Sequence, residues 1–311
     1  MSDGLLAILG AGVMGETVLS GLLRAGWAPD QIVATDRRPE RQVELHERYG
    51  IRMLDNVAAA AAAETVILVV KPQDMSDLLA EIADVLRPGT LIVSLAAGVD
   101  TESIESQLSM GTPVVRVMPN TPAQVDEGMA AISPGRHSDQ DHLDRVTAIL
   151  SATGRVVTLP ERYQDAVTAI SGSGPAYLFF VVEAMIEAGV HLGLPRDVST
   201  ELVVQTMLGS AKLLRETGEH PTVLRERVTS PGGTTAAAVR QLEDHKVRAA
   251  FIGAMEAARN RSRDLAQAAR EDQARRVDSG SVESGRVESG RVESGRVESG
   301  RAERRDGDVR S

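Results

Sequence analysis

The first half of the chain alternates short apolar runs with amphipathic stretches. Runs that are apolar at every position are typical of parallel strands covered by helices on both faces. Five runs rich in Val, Ile and Leu have this character, over residues 5–9, 32–35, 65–70, 91–95 and 114–118. The pattern predicts an α/β domain over residues 1–160, built on a doubly wound parallel sheet of the Rossmann type.

Beyond residue 160 the strand-like runs end and long helical periodicities begin. They cover residues 176–191, 196–217, 235–243 and 247 to about 269. Their Leu, Val, Ala and Met positions are more numerous than one layer of helices buries by itself, so a second copy of the chain is expected to cover them. We therefore predict an all-helical domain over residues 161–270 that forms a homodimer.

The composition changes again near residue 271. The pentapeptide Val-Glu-Ser-Gly-Arg recurs in register from residue 282 to residue 301, and a charged segment follows it. A five-residue period matches neither a helix nor a strand, and Ser, Gly and alternating charges favour solvation. Residues 271–311 are predicted to form a low-complexity, disordered tail with no part in the chemistry.

Composition narrows the possible functions. The chain has 311 residues, of which 42% are hydrophobic, and this is enough for two domains. A formal net charge of −10 and an aromatic content of 2% argue against binding to nucleic acid or to an anionic membrane. Without cysteine, and with six histidines in no zinc-binding pattern, no metal centre is expected. Because no signal core and no apolar run of about 20 residues is found, we expect a cytoplasmic protein.

The segment Gly10-Ala11-Gly12-Val13-Met14-Gly15 follows the first predicted strand and opens a helix. In this context the GxGxxG spacing is typical of dinucleotide binding. The first glycine permits the tight turn, the second lets the pyrophosphate approach the backbone, and the third lets helix and strand pack closely. All six residues are predicted to line the cofactor site.

The segment Asp36-Arg37-Arg38 follows the second predicted strand, where the adenosine ribose is recognised in such folds. Asp36 suits a 2′-hydroxyl group, whereas Arg37 and Arg38 suit a 2′-phosphate. The two arginine charges are expected to have more effect than the single Asp36 carboxylate, which is able to rotate away from the ribose. NADPH is therefore the favoured cofactor, and NADH is the alternative.

Three further segments end predicted strands, at the edge where open α/β sheets bind ligands. They are Val70-Lys71-Pro72, Ala96-Ala97-Gly98 and Met118-Pro119-Asn120-Thr121-Pro122. Lys71 is one of only three lysines in an arginine-rich chain, and its position favours contact with the cofactor. The small residues of the second segment let the nicotinamide approach the backbone, and Asn120 is placed to hydrogen-bond its carboxamide or ribose. A solvated lysine and an ordinary turn at Asn120 are the structural alternatives.

Two glycine-containing motifs precede helices of the second domain. They are Ser171-Gly172-Ser173-Gly174-Pro175-Ala176-Tyr177 and Ser230-Pro231-Gly232-Gly233-Thr234-Thr235. In the second motif the adjacent glycines leave backbone amides unshielded at the positive end of a helix dipole, which stabilises an anion by roughly 0.3 to 2 kcal/mol. This bend suits a small carboxylate, and a capped turn without a ligand is the alternative.

Taken in this order, the glycine-rich, Val-Lys-Pro, Met-Pro-Asn-Thr-Pro, 171–177 and 230–235 motifs resemble those of pyrroline-5-carboxylate reductases. The resemblance covers about residues 5–268, and the last two motifs are the specific ones. It implies reduction of the cyclic imine 1-pyrroline-5-carboxylate to L-proline by a Rossmann domain and a helical dimerisation domain. It also implies sites completed by the partner subunit, a larger ring of dimers, and a position near the adenosine ribose for Asn56.

Within this resemblance the motifs have expected roles. The residues expected to bind substrate are Ser230, Gly232, Gly233, Thr234, Ser171, Gly172 and Ser173. The amides of Gly233 and Thr234 are expected on the carboxylate, and the Thr235 hydroxyl is the expected catalytic group, which hydrogen-bonds the ring nitrogen or relays its proton. For Ser171 and Ser173, helix capping is the alternative.

Two other functions are compatible with parts of the sequence. A β-hydroxyacid dehydrogenase shares the glycine-rich start and a helical second domain, but it needs a lysine on the first long helix after the domain junction, and residues 176–191 contain none. A non-catalytic dinucleotide-binding sensor would bind the cofactor without turnover. No feature of the sequence favours the sensor.

Overall fold

The computed structural model describes residues 4–289, with side chains described as far as residue 268 and at residues 270 and 271. The chain forms one compact unit up to Ala269, and a second unit begins at Arg270. Residues 290–311, which include most of the repeat, lie outside the described part. The division into domains at residues 160 and 270 stays a prediction.

The first unit contains one eight-stranded sheet with the order β3-β2-β1-β4-β5-β6-β7-β8. The strands are β1 Leu6–Leu9, β2 Ile32–Thr35, β3 Arg52–Met53, β4 Thr65–Leu68, β5 Leu91–Ser94, β6 Val114–Met118, β7 Gly128–Pro134 and β8 Gly154–Thr158. Every neighbouring pair is parallel except β6 and β7. The α/β class with a doubly wound sheet is confirmed.

Twelve α-helices accompany these strands in the described chain. They are α1 Val13–Arg24, α2 Pro39–Tyr49, α3 Asn56–Ala62, α4 Met75–Ile82, α5 Thr101–Glu105, α6 Gln140–Leu150, α7 Gln164–Val167, α8 Gly174–His191, α9 Arg196–Thr217, α10 Pro221–Arg227, α11 Thr234–Asp244 and α12 Val247–Ser289. A π-helical turn, Thr168–Gly172, joins α7 to the start of α8.

The predicted parallel sheet contains one antiparallel strand pair, formed by β6 and β7. The connection from β6 to β7 spans residues 119–127, and a parallel crossover needs a dozen or more residues. β7 therefore returns antiparallel, and the sequence reading also missed β3, β7 and β8. β3 has two residues, and β7 is rich in Gly and Ala, which have low strand propensity.

Helices cover both faces of the sheet because alternate strand residues point to opposite sides. Leu6 and Ile8 pack into a core that includes residues of α1, α2 and α6. Ala7 and Leu9 pack into a second core that includes residues of α3, α4 and α5. The chain order reverses between β1 and β4, so the carboxyl ends of these strands form the crevice where ligands bind in such folds.

The last helix, α12, continues to Ser289, so the expectation of an irregular tail is wrong for residues 271–289. Residues 264–276 read Asp-Leu-Ala-Gln-Ala-Ala-Arg-Glu-Asp-Gln-Ala-Arg-Arg, and most of these are strong helix formers. Once a helix is nucleated, each further residue adds one hydrogen bond at small entropic cost, so the helix extends into the repeat.

Helices α8 and α9 leave large apolar side chains exposed. Phe179 and Phe180 on α8 are 67% and 71% exposed, and Leu202 and Leu208 on α9 are also exposed. Large apolar side chains exposed on neighbouring helices are typical of an interaction site on a protein surface. By length and composition, the helical stretch Glu161–His191 is also apolar enough to cross a membrane, so the expectation of no such run is wrong.

An ion pair between a buried arginine and a partly exposed glutamate joins the sheet to the start of the helical part. The Arg116 guanidinium on β6, with its side chain only 7% exposed, donates to Glu161 at 3.2 Å. The Glu161 carboxylate also accepts from the backbone N–H and the hydroxyl of Thr101, at 2.9 and 2.7 Å. One carboxylate thus fixes the beginning of α5 and satisfies a buried cation.

Replacing Glu161 by Ala is expected to destabilise the protein by about 3 kcal/mol, because it leaves the buried Arg116 charge without its partner. The measurement is a urea unfolding midpoint at fixed protein concentration. Glu187→Ala is the control, since it removes an ion pair with Arg196 that is exposed on both sides, and its midpoint should hardly move. Equal midpoints for the two variants would contradict the prediction.

Candidate active site

The glycine-rich turn leaves room for a ligand at one of its three glycines. A Cβ atom at Gly10, where φ is +98°, would lie 2.5 Å from the Val69 carbonyl oxygen, so the chain itself requires this glycine. Gly15 is likewise packed against the backbone of the turn. Around Gly12 no atom lies within 4 Å of the Cβ position, apart from those of the adjoining backbone. The open space at Gly12 fits the pyrophosphate of a dinucleotide.

The backbone amides of this turn divide into two groups. Gly10 and Ala11 donate to the Thr35 carbonyl oxygen at 3.2 and 2.8 Å, so they tie the turn to β2. Val13 and Met14 form the first turn of α1, which has no side-chain cap, and their N–H groups have no intrahelical acceptor. An anion at this end of the helix therefore meets unpaired amides and the positive end of the dipole.

Asp36 lies directly after β2, where its carboxylate is paired with Arg38 through both oxygens, at 3.1 and 3.2 Å. Burial alone would raise the pKa of Asp36, but hydrogen bonds from the side chain and backbone of Arg38 outweigh it and hold the pKa below its usual value. The hydrogen bonds that Arg38 donates to the Asp36 carboxylate in turn raise the pKa of Arg38. The negative charge at the ribose position is therefore neutralised within the chain.

A contact between two loops brings the Val70-Lys71-Pro72 segment to the same crevice. Arg37, after β2, donates to Asp74, just beyond Pro72, at 2.7 Å. The Lys71 carbonyl oxygen accepts from Asp74 N–H at 2.9 Å, but its ammonium group has no hydrogen-bond or ion-pair partner among the described residues. Its ammonium group is therefore available to a phosphate or ribose of the cofactor.

Replacing Lys71 by Met is expected to raise KM for NADPH about tenfold, the cost of one charge-assisted contact. The control is Lys212→Met, which removes an exposed lysine on α9 that lies 3.8 Å from Glu216. Steady-state KM values for cofactor at saturating substrate test both variants. A KM like that of the unmodified protein in Lys71→Met would show that this lysine is only solvated.

Asn56, the first residue of α3, lies beside the end of β2. Its Oδ1 accepts from the Thr35 hydroxyl at 2.7 Å, and its Nδ2 donates to Glu81 at 2.8 Å. The Thr35 hydroxyl also accepts from Gly10 N–H at 3.3 Å. Asn56 is thus connected to the glycine-rich turn, and its contact with the ribose stays a prediction.

Asn120 connects the sheet to the π-helical turn. Its Nδ2 donates to the Ser171 carbonyl oxygen at 3.1 Å, and its Oδ1 accepts from Met129 N–H at 2.8 Å. A Cβ atom at Gly172 would also lie 2.5 Å from the Met118 side chain. The Asn120 amide therefore holds the strand-end motif and the 171–177 motif together. A hydrogen bond from Asn120 to the nicotinamide stays a prediction.

The serines of this segment differ in their contacts. The Ser171 hydroxyl donates to the Val167 carbonyl oxygen at 3.2 Å. Ser173 is the N-cap residue of α8, but its side chain makes no capping hydrogen bond. Helix capping therefore does not account for Ser173. In the 96–98 segment, Gly98 has φ of +76°, a Cβ atom there would lie 3.6 Å from the Ala266 backbone nitrogen on α12, and Ala96 is buried.

The bend at residues 230–235 is a β-turn followed directly by α11. Gly233 N–H donates to the Ser230 carbonyl oxygen at 3.0 Å, and Gly232 has φ of +68°. With proline at the second position and a left-handed glycine at the third, this is the pattern of a type II turn. The turn uses the Gly233 amide, and the expected contact of this N–H with a carboxylate stays a prediction.

The free donors of the bend lie one residue later. Gly233 is the N-cap residue of α11 and provides no side-chain cap, so the N–H groups of Thr234 and Thr235 have no intrahelical acceptor. The Thr235 hydroxyl also has no hydrogen-bond partner among the described residues. No hydrogen bond or ion pair within the described chain joins this bend to the glycine-rich turn.

Two family models match the chain. The model described as pyrroline-5-carboxylate reductase dimerisation matches residues 161–265, and the model described as NADP oxidoreductase, coenzyme F420-dependent, matches residues 5–98. The pyrroline-5-carboxylate reductase of Corynebacterium melassecola is 46% identical over 264 residues, covering 84% of this chain and 98% of the relative. That of Synechocystis sp. is 43% identical over 266 residues, covering 84% and 97%.

Two solved structures are also similar to this chain. A pyrroline-5-carboxylate reductase from Coxiella burnetii is similar with a TM-score of 0.82 and 36% identity, covering 85% of this chain and 99% of that one. Plasmodium falciparum pyrroline carboxylate reductase, solved with NADP bound, is similar with a TM-score of 0.77 and 27% identity, covering 86% and 99%.

Proposed function

The chain belongs to the pyrroline-5-carboxylate reductase family, and we infer from this membership and from its site that it reduces 1-pyrroline-5-carboxylate to L-proline. The reaction adds a hydride to the imine carbon and a proton to the nitrogen. A protonated imine is already electrophilic, so the reaction needs neither a metal ion nor a strong base. The protein is an oxidoreductase of proline biosynthesis.

The bend at residues 230–235 is the observation that supports the substrate site. A carboxylate bound by the N–H groups of Thr234 and Thr235 fixes the ring at the positive end of α11. The Thr235 hydroxyl then faces the ring nitrogen, where it hydrogen-bonds or transfers the proton. The nicotinamide supplies the hydride when bound, and the chain contributes by holding both reactants in near-attack geometry.

One steady-state experiment tests this function against its alternatives. The purified protein should oxidise NADPH or NADH in the presence of 1-pyrroline-5-carboxylate and produce proline. A non-catalytic sensor predicts cofactor binding with no turnover, and a β-hydroxyacid dehydrogenase predicts oxidation of 3-hydroxyisobutyrate instead. Absence of turnover with both cofactors, in protein that is assembled, would overturn the assignment.

We further propose that NADPH is preferred over NADH. Asp36 is paired with Arg38, so its carboxylate is poorly placed to accept from a 2′-hydroxyl, while the Nη1 groups of Arg37 and Arg38 make no hydrogen bond in the described chain and are available to a 2′-phosphate. The measurement is the ratio of kcat/KM with NADPH to kcat/KM with NADH. Arg38→Ala should lower the ratio, because it removes one cation and frees the carboxylate at the same time.

The dimerisation domain makes the protein a homo-oligomer. We propose a ring of dimers as the complete assembly, and sedimentation velocity of the full chain tests it against a simple dimer. We also propose a cytoplasmic location, since contact between subunits accounts for the apolar surface of α8 without a membrane. Membrane fractionation of cells that express the protein tests the location.

A further inference from the structure

Arg41, on α2, contacts the glycine-rich turn through its guanidinium group. Its Nε donates to the Ala11 carbonyl oxygen at 3.3 Å, and its Nη1 donates to Glu44 at 2.7 Å. Its Nη2 is hydrogen-bonded to Glu16, in the first turn of α1. The Arg41 side chain is only 14% exposed, and Ala11 is fully buried.

Glu16 holds this arginine in place through a small polar network. Its carboxylate also accepts from Arg48 at 2.9 Å and from the Tyr49 hydroxyl at 2.8 Å. Burial alone would raise the pKa of Glu16, but hydrogen bonds from Arg41, Tyr49 and Arg48 outweigh it, so the pKa lies below its usual value. The carboxylate is therefore charged at neutral pH and anchors Arg41.

The orientation of one peptide unit links Arg41 to the cofactor site. The Ala11 carbonyl and the Gly12 N–H belong to the same planar trans peptide, so they point in opposite directions. Because Arg41 holds the carbonyl oxygen, the Gly12 N–H points away from the arginine. Gly12 is the residue with open space around its Cβ position.

We propose that Arg41 is a positioning residue for the dinucleotide, which fixes the Ala11–Gly12 peptide so that its N–H faces the pyrophosphate and its carbonyl does not. This inference rests on the proposed function as a nicotinamide-dependent enzyme. This role concerns the pyrophosphate, which NADPH and NADH share, so Arg41 is expected to act on both cofactors alike. It does not read the 2′-phosphate that distinguishes them.

The test measures cofactor binding without substrate, by fluorescence titration of the full-length protein with NADPH and with NADH. Arg41→Met should raise both Kd values about tenfold and leave their ratio unchanged, since the peptide loses the hydrogen bond that orients it. The matched control is Arg48→Met, which removes another donor to Glu16 but no contact with Ala11, and its Kd values should stay near those of the unmodified protein.

Three results would overturn the inference. They are unchanged Kd values in Arg41→Met, a loss confined to NADPH, which would make Arg41 a phosphate ligand, and an equal loss in Arg48→Met. If Arg41→Met does not fold, Glu16→Gln replaces it, because it weakens the anchor while keeping the shape, and should raise both Kd values by a smaller factor. Failure of the proposed function is distinguished, since the unmodified protein would then bind cofactor without reducing the imine.

Discussion

Replacing Thr235 by Ala is expected to lower kcat by roughly 10²- to 10⁴-fold, the range that a positioned proton donor contributes. The hydroxyl has no partner within the described chain and lies at the positive end of α11, so its loss leaves the fold intact. The Kd for NADPH should stay unchanged, because the glycine-rich turn lies on another element. Steady-state kinetics and a cofactor titration on the same preparation measure both effects.

Two matched variants separate the Thr235 hydroxyl from the helix that carries it. Thr235→Ser keeps a hydroxyl and should retain most of the turnover. Thr234→Ala keeps the backbone N–H that is proposed to bind the carboxylate, so its KM for the imine should change little. If Thr235→Ala turns over at the rate of the unmodified protein, solvent delivers the proton and Thr235 has no catalytic role.

Much of the sheet could be predicted from sequence because its central strands are buried on both faces. Such strands are continuously apolar, and β1, β4 and β5 were found within two residues of their ends. At the edges of the sheet the strands are not apolar at every position, so this pattern does not identify them. The edge strand β8 reads Gly-Arg-Val-Val-Thr, and the direction of β7 depends on the length of its connection rather than on its own residues.

The candidate site likewise contains some features that the sequence predicts and others that it does not. Glycines whose role is conformational, such as Gly10 and Gly232, could be identified because a motif and a turn type require them locally. The use of the Gly233 amide by the turn, and the contact between Arg41 and Ala11, depend on where folded backbone atoms meet. The only local signal for Arg41 is that it follows the second strand by six residues, and this does not say what it touches.

Mixing two inactive variants should restore activity if the partner subunit completes each site. Thr235→Ala keeps its glycine-rich turn. Gly12→Glu should fold, since the space around Gly12 is open and its φ of −69° suits any residue, but its side chain occupies the pyrophosphate position with a like charge. Each variant alone is expected to be nearly inactive.

In a mixed dimer the intact glycine-rich turn of one subunit faces the intact bend of the other, so one of the two sites is complete. Random exchange makes half of the dimers mixed, and activity should therefore return to about a quarter of that of the unmodified protein. The measurement is the turnover rate after the two variants are co-refolded or co-expressed. If both halves of a site came from the same chain, no mixing ratio would restore activity.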